Sequence, residues 1–201
     1  MMKALLVLLS LLSLSLSVAA GDIEIARPGR GAIMVPGFRT YAANGYAPSY
    51  QNLDVLKELR NKIAPLKPIT FTSIPGQANF LLCRASFPVY APNKTSFPSF
   101  VEGALNMELA QAGLITEDAA RGIQGRLDDI DFSSFGSGKW TLRATFSVEG
   151  KEPVTIKHEF AFSVSAGAVA GCTDVTNALT PAVEGLLLAL YSDPRFIGLA
   201  Q

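Results

Sequence analysis

Residues 139–164 contain two segments in which apolar and polar side chains alternate, and this pattern constrains the fold more than any other feature of the chain. Because successive side chains of a strand point to opposite faces of a sheet, the segments KWTLRATFSVEG and VTIKHEFAFSV predict two strands, each with one buried face. The predicted inward residues are Trp140, Leu142, Ala144, Phe146 and Val148 in the first strand, and Val154, Ile156, His158, Phe160 and Phe162 in the second.

A third strand is predicted just before these two, at residues 121–134. Its alternation changes phase near Asp128 and Asp129, which predicts a bulge or bend there. We expect Asp129 and Asp131 to share one face and Asp128 to point away. This arrangement is more typical of a solvated sheet edge than of the close carboxylate pair that acid–base catalysis requires.

Two amphipathic helices are predicted in the first half of the chain. The first has Leu53, Leu56, Leu59 and Ile63 at helical spacing, with Asn52 as its cap and Pro65 at its end. For the second, Ser96 is the predicted cap, Pro98 lies in the first turn and Gly113 ends the helix. Its predicted buried stripe consists of Phe97, Phe100, Val101, Ala104, Leu105 and Leu109.

The most hydrophobic helix of the chain after the first 20 residues is predicted to begin near Cys172 and to run to about Leu190. Its apolar residues follow a period of 3.6. Pro181 lies within it and should kink it or begin a second segment.

Two further strands are predicted between the first two helices, at residues 68–74 and 79–91. In the second of these, Leu81, Cys83 and Ala85 should point to the same apolar side. The element order is therefore helix, two strands, helix, three strands, helix. Runs of adjacent strands favour an α+β fold, an antiparallel sheet with two amphipathic helices packed on one face and a β-meander in the second half.

The N-terminus has the pattern of a secretory signal peptide. Lys3 is followed by an uncharged Leu/Val/Ser run, and Val18-Ala19-Ala20 offers small residues for cleavage between Ala20 and Gly21. The alternative is a membrane anchor, but the apolar stretch of about 15 residues is shorter than the roughly 20 needed to span a bilayer. We therefore predict a signal peptide at residues 1–20, an exported protein in the periplasm or secreted, and a mature chain without a transmembrane segment.

Residues 21–50 are rich in glycine and proline, which argues against long regular elements. The segment GAIMV is a candidate short strand. Tyr41, Tyr46 and Tyr50 suit either a contact surface or an ordered arm whose rings pack on the domain, and we favour the arm. Residues 51–201 are predicted to form a single α+β domain.

The charge balance excludes one class of partner. Lys and Arg together number 17, as do Asp and Glu, and removal of the signal peptide takes away only Lys3. A chain without a basic excess is a poor match for the phosphate backbone of a nucleic acid.

The two cysteines, Cys83 and Cys172, allow three interpretations: a disulfide, buried free thiols or a reactive site. Export to an oxidising compartment favours a disulfide. A metal site or a thiol nucleophile would need further partners, and His158 is the only histidine in the chain. We therefore predict one intramolecular disulfide, which should stabilise the fold by roughly 4–5 kcal/mol through closure of a long loop.

Candidate catalytic groups are few. His158 is on an apolar strand face, which favours a structural role, and the segment FGSGKW lacks the spacing and the strand-to-helix context of a phosphate-binding loop. We predict no catalytic residue, no metal and no cofactor.

Several segments together with the leader resemble small uncharacterised bacterial envelope proteins: CRASFPVYAPNKTSFPSFVEGALNMELAQAGL, IQGRLDDIDFSS, KWTLRATFSVEGK and CTDVTNALTPAVEGLLLAL. Their order of elements is similar to that of the YajG-type and ABC-transport auxiliary lipoproteins, over roughly residues 69–196. The resemblance implies a non-enzymatic periplasmic or outer-membrane-associated role in transport or envelope assembly. Gly21 and Asp22 stand where those lipoproteins have the lipidated cysteine, so lipid tethering is not expected.

Three functions follow from these observations. The first is an exported interaction or accessory module that binds a protein partner in the cell envelope. The second is a carrier that holds an apolar small molecule or lipid between helix and sheet. The third is an enzyme, for which His158 would be indispensable. We predict the first, with the carrier as the alternative.

Overall fold

The computed structural model of the protein describes residues 32–35, 38–73 and 78–201. The predicted signal peptide, residues 1–20, and its cleavage site at Ala20 and Gly21 lie outside these residues. The strands are β1 (Ala32–Val35), β2 (Phe38–Ala42), β3 (Thr70–Ser73), β4 (Phe80–Cys83), β5 (Phe87–Tyr90), β6 (Gln124–Ser133), β7 (Gly138–Ser147) and β8 (Val154–Phe162), and the helices are α1 (Tyr50–Leu59), α2 (Phe97–Gln111), α3 (Ala168–Ser192) and α4 (Pro194–Ala200).

The predicted α+β class is confirmed, with mostly antiparallel strand pairing and a single disulfide. The strands form two four-stranded sheets instead of one: sheet I has the order β1-β2-β5-β4, and sheet II has the order β3-β6-β7-β8. Two pairings are parallel, β2 with β5 and β3 with β6. The other pairings are antiparallel, as predicted, and each of the two parallel contacts joins strands that are distant in the sequence.

The three long strands of sheet II confirm the predicted meander. Trp140, Leu142, Ala144 and Phe146 of β7 are fully buried, and the register of β6 against β7 shifts between Leu127 and Asp129, at the predicted bulge. The bulge adds one residue to β6, so the side chain of Asp128 lies on the same face as those of Asp129 and Asp131.

The prediction that Asp128 points away from that face is consequently wrong. Its carboxylate accepts hydrogen bonds from Thr145 Oγ1 at 2.5 Å and from Arg126 Nε at 2.6 Å, and both partners belong to the polar outer face of sheet II.

Helices α2 and α3 pack against the inner face of sheet II, as predicted. Trp140 links all three layers: its ring lies 6.3 Å from that of Phe97 on α2, and its Nε1 donates to Val175 O on α3 at 2.9 Å. Helix α3 also contacts α1, β2 and β5, so that it joins both sheets.

Helices α1 and α3 differ from the sequence expectations at their starts, and α1 ends at Leu59 instead of near Pro65. Helix α1 begins at Tyr50 after Ser49, so Asn52 is a buried residue inside the helix and not its cap. Helix α3 begins at Ala168, before Cys172, and continues through Pro181 without interruption. In contrast, the predicted cap of α2 is confirmed, because Ser96 Oγ accepts from Ser99 N at 3.2 Å.

Part of the Gly/Pro-rich segment contributes to sheet I through β1 and β2. Of its three tyrosines, Tyr41 is fully buried and Tyr46 is half-buried, as expected for rings that pack on the domain, whereas Tyr50 is 88% exposed. The expectation of packing is wrong for Tyr50, the first residue of α1.

Candidate functional site at strand β4

The disulfide predicted from the sequence is present. Cys83 ends strand β4, Cys172 lies in the second turn of α3, and their Cα atoms are 5.9 Å apart across a sequence separation of 89. Both residues are fully buried. The bond therefore fastens the outermost strand of sheet I to the helix that joins the two sheets.

The chain reverses directly after Cys83, where the sequence had predicted one continuous strand over residues 79–91. Arg84 and Ala85 adopt left-handed conformations with φ of 49° and 57°, and β4 and β5 pair as a hairpin from Cys83–Phe87 to Phe80–Tyr90. Such conformations cost non-glycine residues roughly 1 kcal/mol or more each, so the surrounding structure has to hold this turn in place.

The Arg84 side chain supplies part of that restraint. Its guanidinium donates to three backbone carbonyls: Nη1 to Ala166 O at 2.7 Å, and Nη2 to Ser165 O at 3.0 Å and to Ser134 O at 3.3 Å. Its Cζ atom also lies 5.3 Å from the centroid of the exposed Phe135 ring. The hairpin is thus fixed by a covalent bond and by a neighbouring ionic side chain.

Strand β4 pairs with β5 on one side, and the pairing shows which of its main-chain groups point to the other side. Tyr90 O accepts from Ala43 N, so the main-chain N–H and C=O groups of Tyr90 point toward β2. Because these groups alternate in direction along a strand, those of Val89 and Phe87 point toward β4. In β4 the partners of these two residues are Leu81 and Cys83. The N–H and C=O groups of the other two residues, Phe80 and Leu82, consequently point away from β5, along the outer edge of sheet I.

The side chains of the same two residues are exposed apolar groups. Phe80 is 37% and Leu82 is 53% exposed. The Phe80 ring lies 5.6 Å from that of Tyr90, over which Lys94 Nζ lies at 5.6 Å from the ring centroid. The β4 edge, defined here as the outward main chain of Phe80 and Leu82 with these two side chains, therefore combines backbone polar groups with apolar surface.

The stretch of sequence that contains β4 has no acidic residues. No Asp or Glu occurs between Glu58 and Glu102, whereas Arg84 and Lys94 flank the hairpin. The four strand segments of sheet I contain a single charged residue, Arg39. The turn at Arg84 and the segment after β5 at Lys94 therefore carry positive charge and no acidic residue of their own.

His158, the predicted structural histidine, lies on the inner face of β8 and is half-buried. A Cβ atom at Gly185 of α3 would collide with its ring, so this glycine makes room for the imidazole between sheet and helix. Burial lowers the pKa of His158, which favours the neutral ring. Its Nε2 atom is buried and has no hydrogen-bond partner among the residues that the structure describes.

A buried carboxylate that the sequence analysis missed lies between the helices. Glu108 of α2 is fully buried and accepts from Tyr46 Oη at 2.5 Å, from Ser49 N at 3.0 Å and from Asn52 Nδ2 at 3.0 Å. Ser49 N belongs to the N-terminus of α1, where the helix dipole favours a negative charge. The signal was available, because Glu108 follows Ala104 and Leu105 at the helical spacing of the apolar stripe.

The groups around Glu108 respond to its charge. Burial raises the pKa of the Tyr46 hydroxyl and that of the Tyr191 hydroxyl. The charge of Glu108 raises both pKa values further. Burial also raises the pKa of Glu184, with a further contribution from Glu108. We interpret this cluster as a polar joint that ties α1, α2 and α3 together.

A cavity of about 270 Å³ lies between the turn after β7 and helix α4. Its lining includes the charged residues Lys151, Glu152 and Arg195. The other four lining residues are Pro153, Val154, Gly198 and Leu199. Within residues 32–35, 38–73 and 78–201, no helix is both long and apolar enough to span a bilayer.

No model of a known protein family matches the sequence, and no curated protein matches it. Among solved structures, a protein from Xanthomonas campestris described with the family model DUF330 is similar, with a TM-score of 0.41 and 13% identity over 74% of this chain and 94% of that chain. A second structure, described only as an uncharacterized protein, has a TM-score of 0.34 and 6% identity over 74% and 92% of the two chains. Scores at this level assign no family, and the resemblance to YajG-type lipoproteins stays a prediction.

Proposed function

We propose that the protein is exported to the bacterial cell envelope and acts there, without catalysing a reaction, as an interaction module that assists transport or assembly. The observation that carries this proposal is the buried disulfide between Cys83 and Cys172. A bond that fastens the edge of one sheet to the central helix suits a protein that folds in an oxidising compartment.

The β4 edge supports the role in binding. Natural proteins usually shorten, charge or cover the outer strands of their sheets, because exposed main-chain groups recruit other chains. An edge that presents Phe80 and Leu82 instead of charged side chains suits a surface that contacts another protein.

The position of His158 supports a role without catalysis. Its ring lies against Gly185 inside the domain, and its packing accounts for its place on β8. A general base needs access to substrate, and the Nε2 atom of this ring is buried.

The test of export is to express the full chain in a bacterium and in a matched strain that lacks the periplasmic disulfide-forming system. We expect mature protein that begins near Gly21, with Cys83 and Cys172 oxidised, and a loss of that protein in the deficient strain. Intact Met1 with two free thiols in the cytosolic fraction would contradict export.

The test of binding is to purify the tagged protein from envelope extract after crosslinking, alongside Leu82→Lys. We expect a discrete crosslinked species that the charged variant loses and that Met107→Ala, another exposed apolar position, retains. Recovery of the wild-type protein without any crosslinked species would contradict the role as an interaction module.

A further inference from the structure

The three outer strands with described side chains are treated differently by this fold. At β3, α2 covers the edge: Ile69 N donates to Asn106 Oδ1 at 2.8 Å, Asn106 Nδ2 donates to Ile69 O at 2.7 Å, and Phe71 N donates to Glu102 Oε2 at 2.7 Å. These side chains take the place of a neighbouring strand. The β3 edge is therefore closed to another chain.

The edge at β8 is protected by charge. Lys157 and Glu159 lie within the strand and form an ion pair at 2.9 Å, and Lys139 of β7 also pairs with Glu159 at 3.0 Å. Charged side chains on an outer strand oppose the approach of a second strand.

Within the part of the chain that the structure describes, the β4 edge has neither device, and only its length of four residues limits it. Its strand, Phe80–Cys83, contains no charged residue and no proline, and it is the last strand in the order of sheet I. We propose that the β4 edge binds an extended segment of a partner protein, which adds to sheet I as a further strand and carries apolar and acidic residues. This inference rests on the proposed function as an interaction module and names how that module binds.

The main chain sets the geometry of this interaction. The outward N–H and C=O groups of Phe80 and Leu82 can exchange up to four hydrogen bonds with one extended segment. Alternate residues of that segment would lie beside the side chains of Phe80 and Leu82, and apolar residues there would bury the exposed surface. The disulfide and the Arg84 contacts hold β4 in place. Because β4 is already ordered, less conformational entropy is lost when a partner binds.

Charge selects an acidic segment over a second copy of this chain. Arg84 and Lys94 flank the hairpin, and the strands of sheet I contain no Asp or Glu. Two copies paired through β4 would bring like charges together, whereas Asp or Glu in a partner segment would complement them.

The experiment uses the oxidised, purified protein and defined synthetic peptides. The first peptide has eight residues of alternating valine and glutamate. A second has the same sequence with every valine nitrogen methylated, which removes the main-chain donors that face β4 when the segment pairs antiparallel, and a third replaces glutamate with lysine. Binding is measured by calorimetry and by hydrogen exchange at the amides of Phe80 and Leu82.

We expect the valine–glutamate peptide to bind and to slow exchange at both amides, and we expect the methylated and lysine peptides to bind at least about tenfold more weakly. Leu82→Pro removes one outward N–H, and Leu82→Glu replaces apolar surface with a charge that repels the glutamates of the peptide, so each should also weaken binding by at least about tenfold. Met107→Ala should bind like the wild type.

Failure of the valine–glutamate peptide to bind, or binding that is insensitive to methylation and to both Leu82 variants, would overturn the inference. Dimers of the free protein that Leu82→Lys dissociates would also overturn it, because the occupant would then be a second copy. Neither result bears on export or on whether the wild-type protein crosslinks to a partner in the envelope, so the proposed function stands or fails separately.

Discussion

Strands β3 and β4 are both short, outermost and linked to α-helices, but the fold secures them in opposite ways. Asn106 and Glu102 of α2 bond three outward main-chain groups of Ile69, directly before β3, and of Phe71: Ile69 N, Ile69 O and Phe71 N. Strand β4 is secured through Cys83 and the turn at Arg84, and the outward groups of Phe80 and Leu82 take no part in that attachment.

The comparison shows that an outer strand can be held firmly in the fold while its outward main-chain groups stay exposed. A covalent bond positions β4 without using the groups that another strand would bind. Side-chain hydrogen bonds position β3 by using those same groups. The predictions below change one attachment at a time and ask which edge responds.

Loss of the disulfide should have the largest effect. Replacing Cys83 and Cys172 by alanine should lower the free energy of unfolding by roughly 4–5 kcal/mol, because the unfolded chain regains the freedom of a long loop. Chemical denaturation measures this change. Each single variant should lose about as much as the double variant, and a double variant as stable as the oxidised protein would show that the bond does not hold β4.

Glu108→Ala should come next, with a loss of roughly 3 kcal/mol, since it leaves the buried donors of Tyr46, Ser49 and Asn52 without their acceptor. Because α2 also covers β3, amide exchange at Ile69 should become faster while exchange at Leu81, whose amide faces β5, stays the same. Gln111→Ala, an exposed change on the same helix, is the control. Faster exchange at Leu81 in Glu108→Ala would contradict the independence of the two edges.

Asn106→Ala removes the cover of β3 directly. We expect a loss of about 1–2 kcal/mol, because two hydrogen bonds to Ile69 disappear. Native-state exchange should then show an unprotected amide at Ile69, and β3 should resemble β4. Met107→Ala, the exposed neighbour, should change neither measurement. Unchanged protection at Ile69 would mean that something other than Asn106 covers that amide.

The charged edge at β8 should show the smallest effect, and its sign depends on pH. The hydrogen bond from Lys157, with that from Lys139, lowers the pKa of Glu159 to about 2. A lowered folded-state pKa stabilises the fold above the ordinary carboxyl pKa, and that contribution disappears as the pH falls to about 2. Because the group is fully exposed, the contribution is small.

Glu159→Gln should therefore melt slightly below the wild type at neutral pH, and the difference should disappear as the pH falls through the acidic range. Thermal melts at a series of pH values measure it. Glu149→Gln, which changes an exposed carboxylate outside these ion pairs, should show no such convergence. A difference that grows on acidification would contradict the assigned direction.

The sequence predicted the elements whose signal is local. The meander of β6, β7 and β8, the bulge near Asp128 and the Ser96 cap of α2 each depend on neighbouring residues, and periodicity or capping preference predicts them. The disulfide was predicted because only two cysteines exist and both belonged to apolar elements. For the meander, the bulge and the cap, one short segment contains the physical cause.

The features that the sequence did not predict depend on distant contacts. Arg84 and Ala85 turn the chain in a conformation that non-glycine residues avoid, and only the three carbonyls around Arg84 and the disulfide explain it. The parallel pairing of β3 with β6 requires α2 to lie between them in the chain. The β4 edge could not be predicted, because an outer strand is defined by its neighbours in the sheet and not by its own residues.

Hydrogen exchange on the free, oxidised protein tests the difference between the two edges most directly. The account predicts that the amides of Phe80 and Leu82 exchange rapidly, while those of Leu81, which faces β5, and of Ile69 and Phe71, which α2 covers, are protected. Protection of Leu82 equal to that of Leu81 would show that the β4 edge is already occupied within the chain, and it would contradict the account.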